Sequence, residues 1–291
     1  YGIIQNLSSQ SGNVPNPVIR GNSIYSISDG SSWNTTKTNA EKVGGHLATL
    51  SSGEENRFVF ENFGIDKSTN KTISSGYWIG LTDQETEGQW KWISGEKSEW
   101  LHPGFRPGVA GYEPNGNGDH AWVKSGFALG TVTLEEVKNK WGEDYLLNGP
   151  GWDDTWESGE GTNYGVAESK FIRREDSAYV VVEGPTWEEA EANANKLGGH
   201  LVTINNEEEN KWLTKNFSKL VNPDLADDYI KSPDPSPTYR AWTGLKISNG
   251  WFNEPAGTKT WSSGENSIYS SSIIPGGSQI NTGPTADSLI Q

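Results

Sequence analysis

The chain has 291 residues and a formal net charge of −15, from 38 acidic and 23 basic side chains. A surface this acidic repels phosphate backbones, which excludes nucleic acid as a partner class and favours a bound cation. No apolar run approaches the ~20 residues that span a bilayer, so no membrane insertion is expected, and at roughly 150 residues per domain the length predicts two domains.

There are no Cys and no Met, and Tyr1 is not an initiator, so the sequence reads as a processed or excised piece of a longer product. The 14 Trp and 35 Gly predict loop-rich domains with aromatic cores. An enzyme is not expected: there is no thiol nucleophile, no GxSxG elbow, no phosphate-cradling glycine loop and no HExxH.

Residues 1–20, with the run NLSSQSGNVPNP, read as a polar N-terminal segment or linker. SIYSIS at 23–28 reads as a strand. A helix with Trp33 leads into GGHLATL at 44–50, and Ser52 with Glu55 opens a second helix whose apolar face includes Phe63. YWIGL at 77–81 reads as a buried strand, and GQWKWISGE follows at 88–96. After the loop GYEPNGNGDHAW at 111–122, TLEEVKNKW at 133–141 has the start of a helix, and GWDDTW stands at 151–156.

Much of this order then recurs. Trp33 to Asn56 matches Trp187 to Asn210 at a constant offset of 154, with GGHLVTI and EEN in the second copy. Trp78 and Gly80 match Trp242 and Gly244 at 164, so the second copy carries about ten extra residues, placed in SPDPSP at 232–237. AYVVVE at 178–183 reads as a strand. Thr186 and Glu189 form a capping box before the buried face Trp187, Ala190, Ala194 and Leu197, and Gly198 ends that helix. Asn206 with Glu209 opens the next helix. Strands and helices without regular alternation predict an α+β class.

Glu113, Asn115, Asp119, Asp153 and Asp154 offer five oxygen-bearing side chains without nitrogen or sulfur ligands, the preference of a hard cation such as Ca²⁺. In order, the Trp helix, GGHLATL, EEN, WIGLTD, EGQWKW, GE, EPN and Trp-Asp-Asp resemble the C-type lectin-like domain. The resemblance implies a C-type lectin-like fold of two helices with antiparallel sheets and a long binding loop, here in tandem. It covers 21–170 as a complete domain, and 171–291 as a second one lacking the calcium loop and closing strands.

By that resemblance the five residues hold Ca²⁺, and Glu113, Asn115, Asp119 and Asp153 also hold a sugar of mannose, glucose or fucose type, with a cis peptide before Pro114 aiming the loop. Asp153 departs from the family's Asn and can only accept hydrogen bonds. The family's usual disulfide positions are matched by Ala40 and Ala167, with Ala194 in the second copy. The expected role is an extracellular or cell-surface lectin binding a glycan or glycoprotein, with self-assembly through the incomplete second domain as a further partner mode. The alternative is a structural or adhesive subunit of a surface array or filament.

Overall fold

The computed structural model describes residues 2–5, 15–73, 76–116, 118–124, 131–158, 162–221, 242–248 and 258–267. The Pro-rich stretch at 232–237, the tail from 270 and most of the run NLSSQSGNVPNP lie outside them. The chain divides into two compact units. Ser9–Glu41 with Gly45–Lys170 make the first, and Tyr1–Ser8, Lys42–Gly44 and Phe171–Gln291 make the second.

In chain order the elements begin with β1 (Gly2–Gln5), β2 (Val18–Arg20), β3 (Ser23–Asp29), α1 (Trp33–Lys42), β4 (His46–Leu47) and α2 (Gly53–Phe63). They continue through β5 (Ile65–Asp66), β6 (Lys71–Thr72), β7 (Tyr77–Thr82), β8 (Lys91–Trp92), β9 (His120–Val123), α3 (Leu134–Asn148), β10 (Trp152–Thr155) and β11 (Tyr164–Lys170). The remainder are β12 (Ile172–Arg174), β13 (Ser177–Tyr179), β14 (Val181–Val182), α4 (Trp187–Lys196), β15 (His200–Leu201), α5 (Glu207–Val221), β16 (Leu245–Ser248) and β17 (Thr258–Trp261).

The helices start on capping residues, those of α2 and α4 as the sequence predicts. Ser52 accepts from the Glu55 N–H, and Thr133–Glu136 and Thr186–Glu189 form reciprocal capping boxes that satisfy otherwise unpaired first-turn donors. The helix expected over 133–141 runs on to Asn148 across a kink at Gly142, whose positive φ breaks the helical geometry. The predicted buried face of α4 is realised, with Trp187, Ala190, Ala194 and Leu197 all buried.

In the first unit the main sheet runs β10-β9-β7-β11-β3-β2, with β4 also on β11 and β8 on β7. It is not wholly antiparallel as expected, because β11 and β7 are parallel where Gly165 meets Trp78. That close crossing requires glycine: a Cβ on Gly165 would come within 2.6 Å of Thr36 Cγ2 and 2.7 Å of Leu47 Cδ2. The core beneath the sheet contains Tyr25, Phe60, Phe63, Tyr77, Phe105, Tyr145 and Trp152, and its aromatic rings meet largely edge to face. Ala40 and Ala167, which the resemblance sets in the places of the family's disulfide, are fully buried.

Within the second unit many contacts repeat those of the first at the offset read from the sequence. The Trp33 indole donates to the Ile79 carbonyl at 2.9 Å, and that of Trp187 to Thr243 at 2.8 Å. The Tyr25 hydroxyl donates to Glu55 at 2.5 Å, and that of Tyr179 to Glu209 at 3.1 Å. Val18 faces Tyr25 across β2 and β3, as Ile172 faces Tyr179 across β12 and β13. One element differs from expectation. The strand expected over 178–183 is divided at Val180 into β13 and β14.

The linker expected over 1–20 also contains strands. β2 extends the first unit's sheet, and β1 lies between β14 and β15 of the second unit, its backbone satisfying both edges.

Candidate functional site

The site lies where β10 meets the loop before β9. Trp152 anchors β10: its ring packs edge to face on Trp92 and Trp100 at 5.8 and 5.3 Å, and its indole donates to Asn56 Oδ1 at 3.1 Å. The Asn56 amide in turn donates to the carbonyls of Asn148 and Pro150 at 2.7 and 2.8 Å. The last residue of the EEN motif thus holds the loop that delivers Asp153 and Asp154. Pairing of β10 with β9 sets Asp153 opposite Trp122 and Asp154 opposite Ala121.

Asp154 gathers the facing loop. One carboxylate oxygen accepts the Asn115 N–H at 2.9 Å and the other the Gly118 N–H at 3.0 Å. Gly118 must be glycine, since a Cβ there would come within 2.2 Å of the Thr155 backbone. The Glu113–Pro114 peptide is cis, in agreement with the resemblance. Glu113, Asp153 and Asp154 consequently offer carboxylate oxygens within 4.8 Å of one another.

Like charges this close need a counter-charge, and the chain supplies one in Lys124. Its ammonium lies 2.5 Å from Asp153 Oδ2 and 3.5 Å from Glu113 Oε1. Three carboxylates and one ammonium leave two negative charges, the complement of one divalent ion. Burial raises the Glu113 carboxyl above its ordinary range and Asp153 adds to the rise, while Lys124 opposes it. Glu113 Oε2 is buried without a hydrogen-bond partner, an arrangement costly for a carboxylate unless a cation completes it. The donor set therefore fits a hard divalent ion that tolerates carboxylate oxygen, as Ca²⁺ does. Held there, such an ion would have Glu113, Asp153 and Asp154 as its carboxylate ligands.

The other two expected ligands are placed differently. Asn115 is exposed, and the bond given above is from its backbone. Asp119 stands outside the carboxylate group; its carbonyl accepts from the Thr82 hydroxyl at 2.6 Å, and the residue lines a cleft of about 460 Å³ with Gln84, His120 and Trp156. Asp119 precedes β9, so its neighbours are set by the β7–β9 pairing and not by the loop held on Asp154. Trp156 is 65% exposed beside this cleft. His120 is buried and stacks on Trp33 at 4.3 Å, a core position at which burial lowers its pKa.

Lys124 is the residue that sequence reasoning missed. A lysine just past a strand end is an ordinary solvated residue in a linear reading, and only the pairing with a strand 28 residues onward sets it beside Asp153.

Residues 29–123 match the family model "Lectin C-type domain". The match takes in Glu113, Asn115 and Asp119 and ends before Asp153 and Asp154. A "Perlucin-like protein" of Mytilus galloprovincialis is 31% identical over 101 residues, 35% of this chain and 62% of that protein. "C-type lectin domain family 4 member F" of Mus musculus is 37% identical over 75 residues, 26% of this chain and 12% of that protein. The aligned segments thus span less than two thirds of either relative. A solved structure of the cow carbohydrate-recognition domain of CD23, in the presence of a GlcNAc2Man3 oligosaccharide, covers 54% of this chain and 95% of that one, at 18% identity and a TM-score of 0.37. Residues 29–123 of this chain carry a C-type lectin domain, in a fold of mixed α and β content.

Proposed function

We propose that the first unit is a calcium-dependent carbohydrate-binding module without catalytic activity, acting outside the cell or at its surface on a glycan or glycoprotein. The observation that carries this reading is the convergence of Glu113, Asp153 and Asp154 within 4.8 Å, with one Glu113 oxygen buried and unpartnered. Calcium takes 6–8 oxygens, so three carboxylates leave positions for water, carbonyl or paired sugar hydroxyls. The Glu113-Pro114-Asn115 sequence favours sugars of mannose, glucose or fucose type by its resemblance to the family motif. In this reading Asn115 donates to a hydroxyl from the exposed loop. Asp119 accepts one in the cleft it lines with the exposed Trp156, whose ring face suits an apolar sugar face.

The ion pairs of Lys124 support a second reading. A built-in ammonium that stays between Glu113 and Asp153 would replace the metal, leaving a calcium-independent scaffold for protein contacts in an array or filament. A glycan array with the intact chain, in millimolar CaCl₂ and again in EDTA, separates the two. The first reading expects mannose-type binding that EDTA abolishes and that Glu113→Gln with Asn115→Asp removes. Binding indifferent to both changes would overturn the assigned site.

We further read 171–291 as a second lectin-like copy. Support comes from the equivalent Trp187, Tyr179 and Glu209 bonds, and from Gly244 N–H to Val202 at 2.9 Å, matching Gly80 to Ala48 at 3.0 Å.

A further inference from the structure

In the first unit β11 fills the space between β3 and β4. On the β3 side Gly165 pairs with Ser28 and Val166 with Ile27; on the β4 side Ala167 pairs with Leu47 and Glu168 with His46. The offset of 154 carries these partners onto Val182, Val181, Leu201 and His200. Those four residues are the ones that β1 pairs: Gly2 with Val182, Ile3 with Val181, Ile4 with Leu201 and Gln5 with His200.

Two separate edges thus give one alignment, Gly2 on Gly165, Ile3 on Val166, Ile4 on Ala167 and Gln5 on Glu168. The residues agree with the register. Tyr1-Gly2-Ile3-Ile4-Gln5 stands against Tyr164-Gly165-Val166-Ala167-Glu168, with the first two identical, two aliphatic positions kept aliphatic or small, and Gln replacing Glu at equal length. Glycine recurs where the first unit tolerates no Cβ. A strand added to an arbitrary edge would have no reason to meet both neighbours in this register, because a slip by one residue reverses every side chain.

We infer that Gly2–Gln5 is the closing strand of the second unit, supplied from the far end of the sequence, and that the slot between Val181–Val182 and His200–Leu201 is a peptide-acceptor site for an extended segment of the pattern Gly-aliphatic-aliphatic-Gln. The occupant is this chain's own N-terminal segment. Recognition is by strand addition, in which backbone bonds to both edges give affinity and the glycine position gives specificity. This inference rests on the reading of 171–291 as a lectin-like copy.

The test uses amide hydrogen exchange on the intact chain and on a chain lacking residues 1–5, with a synthetic peptide of residues 1–8 added in trans. The expected result is a roughly 100-fold loss of protection in 181–182 and 200–201 on deletion, restored by the peptide but not by one carrying Gly2→Val. Ile3→Pro in the full chain provides a second variant, expected to lower protection in the same two segments while leaving β11 and its partners unchanged.

Undiminished protection after deletion would overturn the inference, as would equal rescue by the Gly2→Val peptide. A dimer of the intact chain that the peptide dissociates would place the strand in a second copy and overturn the intramolecular assignment. The lectin-like reading fails separately: the Gly244 amide, bonded to Val202 without β1, would then lack protection in the intact chain as well.

Discussion

The two units share a set of contacts and differ in what accompanies them. Each holds a tryptophan indole on a backbone carbonyl, a tyrosine hydroxyl on a buried glutamate and an arginine on that same glutamate, Arg20 on Glu55 at 3.9 Å and Arg174 on Glu209 at 3.8 Å. The first unit adds the carboxylate group of Glu113, Asp153 and Asp154, and closes with a strand that follows its own loop. The second closes with β1, and the carboxylate group found among the described residues belongs to the first unit alone. The helix-and-tryptophan frame is therefore separable from the acidic loop. Its stability comes from buried aromatics and satisfied polar groups, whereas the loop concentrates like charge that Lys124 offsets in part.

The strongest way to break this comparison is to remove the shared indole from one unit at a time. Trp33 is 1% exposed and Trp187 4%, so Trp33→Ala and Trp187→Ala should each cost about 3–5 kcal/mol in their own unit. Urea unfolding followed segment by segment by hydrogen exchange should show each loss confined to the unit that carries the change. A loss spread equally over both by either variant would mean that the frame is not repeated.

A smaller effect sharpens the difference at the loop. Lys124→Met removes the ammonium between Glu113 and Asp153, leaves three carboxylates unopposed, and should tighten Ca²⁺ binding roughly 10-fold in calorimetric titration. Unchanged affinity would mean that the lysine does not compete with the ion. The second unit's exchange pattern should not move.

The smallest effect concerns the closing strands. Glu168 is buried on β11 and accepts from Ser23 at 2.7 Å, Lys170 at 2.7 Å and the Thr49 N–H at 3.2 Å. Burial pushes its carboxyl up, but the hydrogen bonds from Lys170 and Ser23 outweigh that and hold it below the ordinary range. A depressed carboxylate contributes stability that is present above its unfolded pKa, about 4.3, and is lost as pH falls through the lower folded value. Gln5 takes the same register position in the second unit and does not titrate. Glu168→Gln should therefore flatten the acid limb of the first unit's stability curve and leave that of the second unchanged, as read by exchange between pH 5 and roughly pH 2.5.

How much was legible in the sequence depends on how far a residue acts along the chain. The caps at Ser52 and Thr186 and the buried face of α4 bond within a turn or two, and the local pattern states them directly. Glu113, Asp153 and Asp154 came from an ordered motif series, which stores a long-range arrangement that spacing alone does not encode. Asp119 belonged to the same motif, yet it follows the β7–β9 pairing into a neighbouring cleft. Lys124 had no motif, and the parallel meeting of Gly165 with Trp78 had no local signal beyond the glycine.

The sequence by itself determined the class, the two-fold repetition of helix, glycine turn and tryptophan, and the acidic loop, because helix caps, apolar periods and charge are short-range properties of the chain. Only the tertiary structure decided which carboxylates converge, which ammonium balances them and where residues 2–5 belong. Those outcomes depend on strands far apart in sequence meeting in one register, and the unpaired N–H and C=O groups of a sheet edge select a partner by geometry and not by distance along the chain.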